Sequence, residues 1–206
     1  MSIGLTAFRI ETGTLLQHVS RVVYRGKPLY FGRDGSNRYD APARDYGVLY
    51  LGCDLPTALM ESVFHKHQWD KDAQRSIALA EVQSRLVRAV GVLDELQLVD
   101  LTAEGVMAGY FGLNLEQLAS RGYTHTQQVS RQVHAMQGKD GVSLFDGVRY
   151  PSRNNYPATS IALFERAEWK VRVIEDIDLP DHVGWPRFVA DYRIGIELDP
   201  GLVEGG

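Results

Sequence analysis

The chain has 206 residues and a hydrophobic share of 44%, which is enough for one domain whose core needs no disulfide. Its formal net charge of −4 does not predict direct nucleic-acid binding through charge. The single cysteine, Cys53, excludes an internal disulfide and favours a reducing compartment. We therefore expect a single domain over residues 1–206, located in the cytoplasm.

The sequence also lacks the patterns of secretion and membrane insertion. Residues 1–13 show no basic segment followed by an apolar run, so we expect no signal peptide. No uninterrupted apolar stretch approaches the roughly 20 residues of a membrane-spanning helix, so we expect no membrane partner. Residues 199–206 are expected to form a frayed tail.

Three segments in the first quarter of the chain have clear patterns. Residues 15–24 predict an early strand or strand pair. Residues 32–46 carry glycine, asparagine, aspartate and proline, and these predict a long structured loop. The apolar run GVLYLG at 47–52 is bounded by glycines, which indicates a buried strand.

A helix is predicted directly after this strand, over residues 55–67. Asp54 stands at the N-cap and Pro56 in the first turn, where helix starts favour these residues. Glu61 is the acid within this apolar segment. It lies about two turns from the helix start, near the end of the preceding strand.

The rest of the chain mixes strands and helices without a regular βαβ rhythm. Strands are predicted twice within 84–101, at 147–150 and 160–164, and again within 169–198; helices are predicted at 102–109, 115–121 and 127–137. There is no GxGxxG motif and no Walker A motif, which argues against Rossmann and P-loop proteins. We therefore predict an α+β fold, a mixed sheet core with surrounding helices.

Metal binding and triad hydrolysis are both poorly supported. His65 and His67 are spaced i, i+2, which puts their rings on different faces of a helix, while His125 and His134 stand apart. CxxC, HExxH and GxSxG motifs are absent from the sequence. We therefore expect structural or solvated histidines and no metal.

A series of remote segments resembles the RES domain, a family named for its Arg, Glu and Ser. These segments read SRVVYRGKPLYFG, NRYDAP, YGVLYLG, ALMESVF, DGVRYPSR and ALFER, and they span about residues 14–165. The resemblance assigns the three name-giving residues to Arg21, Glu61 and Ser152. Arg25 lies close to Arg21 and is the alternative for the arginine.

The resemblance implies a fold, a reaction and a partner. RES proteins are similar in fold to ADP-ribosyltransferase toxins, and they are toxins of bacterial toxin–antitoxin pairs. They degrade NAD+ at the nicotinamide–ribose bond by phosphorolysis or hydrolysis, and some relatives transfer ADP-ribose to a protein. We therefore expect NAD+ as substrate, inorganic phosphate as an optional co-substrate and no cofactor. The expected partner is an Xre-type antitoxin, and the expectation allows for a homodimer.

The residue chemistry is compatible with a dinucleotide substrate. Arg21 and Arg38 can hold a pyrophosphate by bidentate, charge-assisted hydrogen bonds. Tyr39 and Tyr50 can frame the cationic nicotinamide ring through cation–π attraction. The ordinary alternatives are surface ion pairs for the arginines and core packing for the tyrosines.

Glu61 and Ser152 fit the bond-breaking end of such a site. Cleavage of the glycosidic bond develops positive charge on the ribose, which a carboxylate can stabilise. Ser152 can hydrogen-bond the ribose or the nicotinamide amide. The alternatives are a solvated helix glutamate and a turn serine; the neighbouring Arg153 and Asn154 are weaker candidates for phosphate contact.

Residues 102–146 separate this chain from short RES toxins. They include the amphipathic segment 127–137, which is expected to pack on the core, while the insertion as a whole could instead cover the pocket or shape a partner interface. Two rival functions stay open: a mono-ADP-ribosyltransferase acting on a protein, and a non-catalytic nucleotide-binding module.

Overall fold

The computed structural model describes residues 5–198 apart from 6, 28, 66–74 and 121. Its strands are β1 (Ala7–Ile10), β2 (Leu15–Arg21), β3 (Val48–Gly52), β4 (Arg75–Ala78), β5 (Arg85–Val92), β6 (Leu96–Asp100), β7 (Gly147–Pro151), β8 (Thr159–Phe164), β9 (Val171–Asp178) and β10 (Ile194–Glu197). The α-helices are α1 (Leu55–Ser62), α2 (Leu79–Gln83), α3 (Leu115–Ala119), α4 (Thr124–His134) and α5 (Trp185–Asp191).

Eight of these strands form one mixed sheet, in the order β1-β6-β7-β8-β3-β2-β5-β9. Neighbouring strands are antiparallel except β6 and β7, and β4 and β10 form a separate parallel pair. With helices packed around a large curled sheet, the fold is α+β, as predicted, and it agrees with the ADP-ribosyltransferase-like architecture.

The neighbouring strands β3 and β2 diverge, and this divergence positions the site. They share a single paired position, Gln17 opposite Gly52. Each strand is otherwise held by its outer neighbour: β5 pairs along all of β2, and β8 pairs along all of β3. The strands are thus joined next to the start of α1, and the sheet opens between β2 and β3 from this position towards the start of β3.

The connection from β3 into α1 is fixed by local chemistry, as the sequence predicts. Gly52 is required because a Cβ there would lie 2.6 Å from the backbone nitrogen of Ala58. The Asp54 side chain caps α1 by accepting a hydrogen bond of 2.8 Å from the Thr57 backbone N–H. Glu61 consequently lies in the last turn of a short, tightly docked helix.

The middle of the chain is less helical than predicted. Residues 102–105 form turns and bends that lead into a π-helical segment, Val106–Tyr110, while the other two predicted helices are α3 and α4. Helix α4 buries Val129 and Val133 in the cluster that also holds Tyr150. Helix α4 therefore packs on the core, as expected for the amphipathic segment.

One late strand prediction is wrong. The stretch FVADYRI belongs largely to helix α5 and the turn after it, and only β9 and β10 are strands in that region. Trp185 and Phe188, spaced i, i+3, bury one helical face against α1, and Pro186 occupies the first turn. Tertiary burial at helical spacing outweighs the β-propensity of this stretch. His67, Arg121 and the tail 199–206 lie outside the described residues.

The ring of His134 gives the fold a pH dependence. It stacks on Tyr46 with centroids 3.8 Å apart, and burial, followed by the nearby Arg166, lowers the pKa of His134 to about 4. Asp45 acts weakly in the opposite direction. Because the folded pKa lies below the unfolded value of 6.5, the unfolded state takes up a proton first, and stability falls as the pH drops from 6.5 towards 4.

We expect His134→Phe to retain more stability than the wild type at pH 4, relative to pH 7.5. Phenylalanine keeps the ring stack and cannot be protonated. The decrease in the free energy of unfolding between pH 7.5 and pH 4 should therefore be smaller by about 1–2 kcal/mol, after allowance for solvent screening. Urea unfolding at a series of pH values measures this difference. His125→Phe, on the exposed face of the same helix, is the control, and equal acid losses in both variants would contradict the assignment.

Candidate active site

Two adjoining cavities form a cleft where β2 and β3 diverge. The inner recess, of about 50 Å³, is lined by Gln17, His18, Val19, Tyr50, Leu51, Gly52, Ala58, Glu61, Ser62, Tyr150 and Ser160. The outer cavity, of about 190 Å³, is lined by Asn37, Arg38, Tyr50, Glu61, Ser62, His65, Tyr123, Tyr150 and Arg153. Glu61 is common to both, so its side chain stands at the junction of the cleft.

The Glu61 carboxylate is held through one of its two oxygens. Ser152 Oγ donates to Oε1 at 2.7 Å, and the backbone N–H of Arg153 donates to the same oxygen at 2.9 Å. Oε2 accepts no hydrogen bond from the residues that the structure describes. The carboxylate is therefore fixed in orientation while one oxygen is left for a ligand in the cleft.

Ser152 itself is 2% exposed and lines neither cavity. Its Oγ donates to Glu61 and accepts from the backbone N–H of Asn155 at 3.0 Å. This geometry favours a role in holding Glu61 over the direct substrate contact that the sequence interpretation assigned to the serine.

Arg38 lies in the wall of the outer cavity in a fixed position. Its Nη1 donates to the carbonyl oxygen of Pro151 at 3.4 Å, and Nη2 donates to that of Leu118. The guanidinium carbon lies 5.3 Å from the ring centroid of Tyr150 and 5.5 Å from that of Tyr39. Arg38 thus brings positive charge to the same cavity as Glu61 without an ion pair among the described residues.

The two predicted tyrosines have different surroundings. Tyr50 lines both cavities, and its hydroxyl donates to Asp40 at 2.8 Å and accepts from the Tyr39 backbone at 2.9 Å. Burial raises the pKa of Tyr50 well above its usual range, so the phenol stays neutral. Tyr39 is fully buried and lines neither cavity; its ring packs 4.5 Å from that of Tyr150, which does line the cleft.

The structure does not bring the candidate family arginine into the cleft. Arg21, at the end of β2, has its Nη2 3.5 Å from a Glu81 carboxylate oxygen and is half exposed. Arg25 forms an ion pair with Asp178. Neither arginine lines the inner recess or the outer cavity, so a substrate role for Arg21 remains a prediction.

Several residues of the cleft were not predicted from the sequence. Gln17 and His18 line the inner recess, and Tyr150 lines both cavities. His18 Nδ1 lies 2.9 Å from the carbonyl oxygen of Tyr50 and burial lowers the pKa of His18, so the ring is neutral with Nδ1–H as donor. For Gln17 and His18 the only sequence signal is polarity on a short strand, which does not show that the neighbouring strand β3 diverges.

Residues 15–182 match the family model of the RES domain. This range covers most of the chain and includes the middle segment 102–146. The chain belongs to the RES domain family. RES domains are NAD-related enzymatic domains and are associated with antitoxin partners in toxin–antitoxin systems.

No curated protein matches this RES domain chain. Within the described ranges there is no group of three or more histidine, cysteine or acidic side chains arranged to hold a metal ion. None of the helices in those ranges has the length and apolar character needed to cross a membrane.

Proposed function

We propose that this RES domain cleaves NAD+ at the nicotinamide–ribose bond, with water or inorganic phosphate as acceptor, and acts as a bacterial toxin. The observation that supports this most is the state of Glu61. One carboxylate oxygen is held by Ser152 and the Arg153 backbone, and Glu61 lines a cleft that has aromatic and cationic walls.

The roles follow from the charge that develops in the reaction. As the bond to nicotinamide breaks, the ribose gains positive charge, and the fixed Glu61 carboxylate stabilises it. Nicotinamide leaves as a neutral ring, so the bond breaks without a metal in this scheme. Tyr50 and Tyr150 offer ring surface to the cationic nicotinamide before it leaves.

The pyrophosphate is proposed to bind in the outer cavity. Arg38 is already placed in its wall, and Arg153 adds a second guanidinium at the same opening. Arg21 can bind the pyrophosphate only if its ion pair with Glu81 breaks and its guanidinium contacts a phosphate oxygen instead. Tyr39 supports the site from behind, through its contact with Tyr150.

The test is to incubate the purified protein with NAD+, with and without inorganic phosphate, and to identify the products. We expect nicotinamide together with ADP-ribose in the absence of phosphate, or with ADP-ribose 1″-phosphate in its presence. No release of nicotinamide at any phosphate concentration would contradict the proposal. Labelled ADP-ribose on an added protein would indicate a transferase, and an NAD+-dependent rise in melting temperature without turnover would indicate a binding module.

The proposed partner is an Xre-type antitoxin, which follows from the family association with antitoxin partners. Co-expression with the product of a neighbouring gene should give a complex that copurifies and does not release nicotinamide. Undiminished release of nicotinamide in the presence of that gene product would contradict the proposed partner.

A further inference from the structure

The C-terminal helix contacts the loop that carries Ser152. Helix α5 begins at Trp185, just past residue 182, where the RES domain match ends. Directly after the helix, the Tyr192 hydroxyl donates a hydrogen bond to Oδ1 of Asn155. A segment outside the matched range therefore reaches the candidate active site through one side-chain contact.

Asn155 connects this contact to the serine loop and to α1. Its Nδ2 donates to Thr57 Oγ1 at 3.1 Å, while its backbone N–H donates to Ser152 Oγ at 3.0 Å. Both ends of the amide are thus engaged, the oxygen by Tyr192 and the nitrogen by Thr57. Loss of either partner frees the amide to rotate and loosens the backbone that supports Ser152.

The series of hydrogen bonds continues from Ser152 to the Glu61 carboxylate. Ser152 Oγ donates to Glu61 Oε1 at 2.7 Å, so the position of the serine determines the orientation of the carboxylate. A second tie supports the same loop, because Asn154 Nδ2 donates to the carbonyl oxygen of Met60 at 3.2 Å. The loop is thus tied to α1 at Thr57 and Met60 as well as at Glu61 itself.

The tyrosine hydroxyl is presented by a firmly packed helix end. Phe188 is 1% exposed, stacks on Tyr192 with centroids 4.5 Å apart, and lies 5.5 Å from the Phe64 ring that follows α1. Burial raises the pKa of Tyr192, so the hydroxyl keeps its proton at neutral pH. The donor is therefore held in place and remains a donor.

We infer that Tyr192 is a positioning residue: through Asn155 and Ser152, the C-terminal helix of this chain sets the orientation of the Glu61 carboxylate. For its activity readout the inference rests on the proposed NAD+ cleavage. It gives Tyr192, which lies after residue 182, a supporting role in the site, although Tyr192 touches no substrate.

Tyr192→Phe removes the hydroxyl and keeps the ring on Phe188. We expect kcat for nicotinamide release to fall about 5- to 20-fold, the scale of losing one or two hydrogen bonds, with KM changed less than about twofold. Val189→Ala is the control, since it weakens the packing of the same helix but has no bond to the serine loop. It should lower the melting temperature and leave kcat within about twofold.

A double-mutant cycle separates this route from a general loosening of α5. In an Asn155→Ala background, Tyr192→Phe should reduce kcat by less than about twofold, because the acceptor of its hydrogen bond is already gone. Full additivity of the two kcat losses would overturn the inference, since the hydroxyl would then act by another route.

Amide hydrogen exchange tests the contact independently of catalysis. Tyr192→Phe should speed exchange about fivefold at residues 152–156, and Val189→Ala should leave those residues near wild type. Unchanged exchange there in Tyr192→Phe would overturn the inference even if the wild type cleaves NAD+. A wild type that releases no nicotinamide would overturn the proposed function, while the exchange measurement would still decide the contact.

Discussion

Replacing Glu61 by glutamine should lower the rate of nicotinamide release by at least about 10²-fold, the scale of losing one group that stabilises transition-state charge. The reason is the charge itself, because the ribosyl cation gains nothing from a neutral amide. Steady-state release of nicotinamide from NAD+ by purified wild type and variant measures the ratio, provided that both show the same melting temperature.

The geometry makes this substitution a clean test of charge. Ser152 and the Arg153 backbone both donate to the same oxygen, Oε1, and a glutamine can offer its amide oxygen at that position. The serine loop should therefore stay in place while the open oxygen becomes an NH2 group. Glu104→Gln, an exposed acid in a turn, is the matched control. A Glu61→Gln variant with more than a tenth of the wild-type rate would remove the carboxylate from the proposed mechanism.

Glu61 also shows why part of this site could be predicted from the sequence. The glycine-bounded strand, the Asp54 cap and Pro56 fix β3 and α1 by local rules, and these place Glu61 beside the sheet. The pairing of β7 with β8 brings the end of β7, and with it Ser152, towards the same edge. The resemblance to the RES domain singled out these two residues, and the structure brings them into direct contact.

Other parts of the site depend on tertiary facts that local signals do not contain. Tyr39 and Tyr150 are both tyrosines beside Arg38, and only the packing decides that Tyr150 lines the cleft while Tyr39 is buried. Gln17 and His18 line the inner recess because β2 separates from β3 beyond one paired position. Strand divergence depends on what packs on both faces of the sheet, so alternation along one strand does not reveal it.

Arg88 carries the second large expected effect, which is on stability. Its side chain is 1% exposed on β5, and its guanidinium donates to Asp176 at 3.0 Å. It also donates to the carbonyl oxygens of Tyr24 at 2.7 Å, Lys27 at 3.1 Å and Arg25 at 3.3 Å. One buried arginine thus holds the whole turn that follows β2 against the sheet.

Arg88→Met should lower the free energy of unfolding by about 3–5 kcal/mol, the range found when one partner of a buried ion pair is removed. Methionine fills much of the volume but leaves the Asp176 carboxylate and the turn carbonyls without their donor. Urea denaturation at pH 7 measures the change. Arg187→Met is the control, since its ion pair with Asp191 is largely exposed and should contribute less than about 1 kcal/mol.

A second substitution can show whether the loss of stability in Arg88→Met comes from the unpaired Asp176 carboxylate or from the turn carbonyls. If the penalty comes mainly from the carboxylate left behind, Asp176→Leu in the Arg88→Met background should restore about 1–2 kcal/mol, because no partly buried carboxylate then lacks its partner. If the penalty comes mainly from the turn, the second substitution should restore nothing. If Arg88→Met alone lowers the free energy of unfolding by less than about 1 kcal/mol, the turn after β2 is held in place by other contacts.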